Sequence, residues 1–172
     1  MCSGPIVLNE SRWIPSSKES TAIVVIDNSA SLGVEKNGAS YLQKNMSLLP
    51  KIFSAFEGAT NVKVYQTNPP KMIYDDFVEE GVIINSDNFK IQQSMGRDSL
   101  WFFVDSILQT IDQNTPNKEL YILSDFPSNP PSGFINDHSS WQFYFNENDK
   151  SINNLSINTV STINQMKLPN HL

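Results

Sequence analysis

Asp27, Ser29 and Ser31 stand two residues apart at the end of one apolar run, Thr21-Ala22-Ile23-Val24-Val25-Ile26. A carboxylate and two hydroxyls make an all-oxygen donor set, which suits a hard divalent cation such as Mg2+. A second apolar run, Leu120-Tyr121-Ile122-Leu123, also ends in a hydroxyl and an acid, Ser124 and Asp125. Local roles are the plain alternative. Serines are common in turns, and acids at strand ends cap nearby helix N-termini.

The elements that must carry these residues can be read from pattern. An unbroken, largely β-branched run reads as a strand buried on both faces, the usual central strand of a parallel sheet. In open α/β sheets ligands bind beyond the carboxyl ends of such strands, where Asp27 and its serines would lie. After this strand, about residues 21–27, Asn28 to Gly38 reads as a loop. A helical stripe follows at Tyr41, Leu42, Leu48, Leu49, Ile52, Phe53 and Phe56. Ser40 is its expected N-cap and Gly58 its stop, and Pro50 should kink or split it.

Asn61 to Gln66 alternates as a half-exposed strand does. Thr67-Asn68-Pro69-Pro70 reads as a turn, and Lys71 to Tyr74 as a short returning strand that prolines confine to the sheet edge. Asp75, Asp76, Glu79 and Glu80 form an acidic cluster, read as a solvated helix start, with a metal site as the alternative. Leu100, Phe103, Val104, Ile107, Leu108 and Ile111 mark one face of a helix, capped by Asp98 or Ser99. Strands are expected at Leu120–Asp125, at Trp141–Phe145 and over 156–163, with a Pro-, Ser- and Asn-rich loop from Phe126 to Ser140. Residues 1–20 read as an irregular leader docked by Trp13 and Ile14, 21–150 as the domain, and 151–172 as a terminal strand or tail.

Bulk properties narrow the function. A length of 172 residues fits one domain with a proper core. The formal net charge of −6 argues against a nucleic-acid backbone as partner and offers no basic patch for anionic lipid. The single cysteine, Cys2, forms no internal disulfide. No apolar run approaches the ~20 residues of a membrane span, and no signal peptide is visible. The chain is therefore expected to be either cytoplasmic or a soluble piece of a membrane-anchored parent.

Asp27-x-Ser29-x-Ser31 after a hydrophobic strand resembles the metal-ion-dependent adhesion site of von Willebrand factor A (vWA) domains. Leu120 to Phe126 resembles the family's later strand, which ends in Thr-Asp-Gly. Ser124 stands for the Thr, Asp125 matches, and Phe126 replaces the Gly. With Asn154-Leu155-Ser156-Ile157-Asn158, the wording is closer still to the vWA-like region of bacterial BatA-type aerotolerance proteins. The resemblance covers roughly residues 20–160. It implies a Rossmann-like α/β fold: a mostly parallel central sheet, one antiparallel edge strand, and helices on both faces. It also implies a membrane-anchored parent in the cell envelope, on the periplasmic side of the inner membrane.

In that family the two serines bind the cation directly, the first acid acts largely through water, and a third-loop Thr and the later Asp complete the shell. A partner protein's acid fills the open position. The resemblance thus nominates Asp27, Ser29, Ser31 and Asp125. The family's Gly-Gly-Thr-x-Leu aligns with Gly96-Arg97-Asp98-Ser99-Leu100, which puts Asp98 at the Thr position, with Ser99 or Ser94 as substitutes. An extra carboxylate there would hold the ion more tightly and make it less attractive to a partner's acid.

The expected function is a protein–protein interaction module that uses a divalent cation. Two alternatives stand beside it: a metal-free scaffold of the same fold, and a Mg2+-dependent phosphatase using Asp27 as nucleophile. Phosphatases of the haloacid-dehalogenase type need a second acid two residues on, where this chain has Ser29. His138 and His171, the only histidines, lack a Gly-x-Ser-x-Gly elbow, and no Gly-rich phosphate loop occurs.

Overall fold

A computed structural model describes residues 6–7, 20–56, 60–78, 86–96, 99–111, 115–125 and 129–146. In chain order its elements begin with strands β1 (Ile6–Val7) and β2 (Ser20–Ile26) and a 3-10 turn at Ala30–Gly33. Then come a small hairpin, β3 (Glu35–Lys36) and β4 (Ala39–Ser40), and helices α1 (Tyr41–Met46) and α2 (Leu49–Phe53). Strands β5 (Thr60–Gln66) and β6 (Lys71–Val78) precede helix α3 (Leu100–Leu108). Strand β7 (Asn117–Leu123), the short helix α4 (Phe134–Asp137) and strand β8 (Gln142–Phe145) complete the described chain.

The main sheet has the order β1-β8-β7-β2-β5-β6. Strands β8, β7, β2 and β5 run parallel, and β6 returns antiparallel along β5. The expected mostly parallel sheet with an antiparallel edge strand is therefore present. The opposite edge adds a two-residue antiparallel pairing, Ile6 with Phe145 and Val7 with Tyr144. That places a strand inside the stretch read as an irregular leader.

β2 is the centre. From Ala22 to Ile26 every residue is fully buried. Consecutive strand residues point to opposite faces, and the burial follows suit. Ala22, Val24 and Ile26 join a cluster with Tyr41, Leu42, Leu49 and Phe53 of α1 and α2. Ile23 and Val25 join another with Leu100, Val104 and Leu108 of α3, and with Trp141 and Phe143. A strand with apolar cores on both sides has no use for polar alternation, hence its unbroken apolar sequence.

Several readings change in detail. Ser40 caps α1 in a full capping box: its hydroxyl accepts from Gln43 N (3.1 Å), and Gln43 Oε1 accepts from Ser40 N (2.8 Å). Pro50 splits the helical stripe in two by sitting in the first turn of α2, where a missing N–H is harmless. The loop after Asn28 contains the β3–β4 hairpin, turned by Asn37 and Gly38, both at positive φ (60° and 80°). Asn-Gly is a strong hairpin signal. Asp75 and Asp76 do not start a helix. They extend β6 to eight residues, and Lys63 on β5 holds Asp75 at 2.6 Å. Trp13, Ile14, Gly58, Glu79, Glu80, Asp98 and the strand expected over 156–163 lie outside the described residues. Among the described residues no helix is long and apolar enough to cross a membrane.

Candidate functional site

Sheet register assembles the site. Ile26 ends β2 opposite Gln66 of β5 on one side and Leu123 of β7 on the other. The next residue of each strand is Asp27, Thr67 and Ser124, so three polar side chains emerge abreast at the carboxyl edge. Backbone bonds carry the register one step further: Thr67 N donates to Ile26 O (3.2 Å), and Asp27 N to Leu123 O (3.0 Å).

Asp27 is completely buried. Its Oδ1 accepts from Ser29 N (2.9 Å) and from Thr67 Oγ1 (3.2 Å). Its Oδ2 accepts from Ser124 Oγ (2.8 Å). Both oxygens are therefore engaged by groups on three different segments, and a buried carboxylate needs such partners. Asn28 forms a second hub. Its side chain donates to the carbonyls of Asn68 and Gln92 (2.8 Å to Gln92) and accepts from Asn68 N (2.7 Å). Its carbonyl accepts from Ser94 N (2.7 Å).

Ser29 is buried and Ser31 half-buried, and their hydroxyl oxygens lie 3.2 Å apart. The Ser31 side chain also lies near enough to Asp125 to favour its charged form. Asp125, half-buried just past β7, leaves its Oδ1 buried with no hydrogen-bond partner among the described residues. Burial pushes its carboxyl above the usual carboxylate range; the nearby Ser31 hydroxyl opposes this, and the nearby charge of Asp27 adds to it. Two acids and two serines thus meet at one place, and one acid oxygen is unsatisfied.

The structure brings Asp27, Ser29, Ser31 and Asp125 into one neighbourhood. The described third-loop candidates, Ser94 and Ser99, make no hydrogen bond to these four. Asp98 lies outside the described residues. Ser99 is exposed at the start of α3, and its side chain makes no capping bond. The Ser94 hydroxyl accepts from Gly96 N (3.1 Å) instead. Thr67 is the residue sequence reasoning missed. It was read as part of a turn, yet it is fully buried against Asp27 and Asn28. Only the strand order, with β5 beside β2, could have identified it.

Among the described residues no group of three or more His, Cys, Asp or Glu side chains forms a metal cluster. Any cation held here would depend on hydroxyls as well as the acids. No protein-family model and no curated protein matches the chain.

Proposed function

We propose that the chain is a vWA-like interaction module of a cell-envelope assembly, with helices on both faces of its sheet. It holds a divalent cation at the strand ends and offers it to a partner's acid. The observation that carries this reading is the buried, unpartnered Oδ1 of Asp125 beside the Ser29–Ser31 hydroxyl pair. An orphaned buried acceptor is costly unless something fills it, and a hard cation fits an oxygen-only set. Ser29, Ser31 and Asp125 would hold the ion. Asp27, whose oxygens already accept three hydrogen bonds, would orient the Ser29 segment and act on the ion through water. The ion supplies an electrophilic position for a carboxylate.

A second reading has its own support. Asp27 is fully satisfied without any ion, so the same residues also suit a metal-free scaffold in which Asp27 clamps three strand ends. Thermal melts with Mg2+, Mn2+ or chelator separate the two. A ligand that binds only the folded state adds ~2.7 kcal/mol at a hundredfold excess over its dissociation constant. The cation reading expects a metal-dependent rise in Tm that Asp125→Asn abolishes. No shift at saturating metal would leave the scaffold reading.

A further inference from the structure

A groove of about 610 Å³ runs between the start of β6 and the segment 88–94. It opens beside the strand-end site, because Asn68 and Ser94 line it and both also bind Asn28, the neighbour of Asp27. Its charge is opposite to that of the chain. Two lysines, Lys71 and Lys90, line it, and among the described residues no carboxylate does, in a protein of net charge −6. Both lysines are exposed, and neither makes an ion pair among the described residues. The acids nearest them in sequence are placed elsewhere. Asp75 is held by Lys63, and Asp87 lines a different hollow with Leu42 and Met46. Met72 and Ile73 add an apolar strip along the groove.

We infer that this groove seats an extended, acidic segment of a partner protein. Lys71 and Lys90 would meet its carboxylates and Met72 would lie along its aliphatic stems. Charge complementarity of this kind sets specificity and association rate. The inference rests on reading this end of the sheet as a partner-binding site, but the lysines act independently of the cation.

The test uses the full chain and a fluorescein-labelled Glu-Ser repeat peptide, followed by fluorescence anisotropy with chelator and with Mg2+. Lys71→Glu and Lys90→Glu are each expected to weaken binding in chelator by about tenfold, while Lys51→Glu on α2 leaves it unchanged. A Gln-Ser repeat should not bind. Equal weakening by Lys51→Glu would overturn the groove, since attraction would then be diffuse. Binding that ignores Lys71→Glu and Lys90→Glu overturns it too, as does tighter binding of a thymidine oligonucleotide than of the Glu-Ser peptide. Lysine-dependent binding without any Mg2+ effect keeps the groove and sinks the cation reading. A Mg2+ effect lost in Asp125→Asn, with no lysine dependence, does the reverse.

Discussion

Asp27 and Asp125 are both acids at strand ends, yet their surroundings give them different work. Asp27 is a structural acceptor for Ser29 N, Thr67 Oγ1 and Ser124 Oγ. Removing it orphans donors on three segments at once. Hydrogen bonds to charged groups are worth ~1.5–3 kcal/mol each, so Asp27→Ala should lose at least about 3 kcal/mol in urea unfolding. Thr67→Val, which deprives Asn28 N of its acceptor (3.3 Å) and Asp27 of a donor, should lose about 1–3 kcal/mol in the same assay. Asp125 is the opposite case. Its charge is disfavoured by burial and by Asp27. Asp125→Asn should therefore raise the metal-free Tm. A fall in Tm would mean that the Ser31 interaction outweighs burial and the Asp27 charge.

Among the elements, β7 carries the most loaded arrangement. The Tyr121 hydroxyl donates to Glu119 Oε2 at 2.7 Å, and the Tyr121 and Tyr144 rings stack with centroids 4.5 Å apart. Burial raises the Glu119 pKa above its usual 4.5, and the Tyr121 bond only partly offsets this. Burial, then the Glu119 charge, pushes Tyr144 up to about 12. The folded state therefore holds the Glu119 proton more tightly than the unfolded chain does. Stability from this group is complete below pH 4.5 and declines as pH rises through the raised folded value. Glu119→Gln should flatten that part of the stability–pH curve. A wild-type curve that rises across the same window, with the rise lost in Glu119→Gln, would contradict the sign.

For the molecule as a whole, β2 divides two apolar clusters, and neither side is a spare face. Ile23 and Ile26 are both fully buried, one in each cluster. Ile→Ala in a packed core costs ~2–5 kcal/mol, and both Ile23→Ala and Ile26→Ala should fall in that range by denaturant titration. A near-silent result at either would mean that one cluster is not a true core. The same two-sided burial forces polar chemistry to the end of the sheet, where β2, β5 and β7 finish together and the Lys71–Lys90 groove opens.

What the sequence determined by itself was largely local. The apolar run before Asp27 marked the central strand, because two-sided burial leaves no polar positions. The N-cap at Ser40 and the break at Pro50 were legible, because caps and proline act within one turn. Asp27, Ser29, Ser31 and Asp125 were legible as strand-end oxygens. Tertiary structure decided the rest. The acidic look of Asp75 and Asp76 argued for a helix start, but pairing with β5 and the Lys63 contact made them strand residues. Thr67 became part of the site only because β5 lies in parallel register beside β2. Neither the orphaned oxygen of Asp125 nor the basic groove exists until strands distant in sequence finish side by side, since both arise from register, which no local pattern encodes.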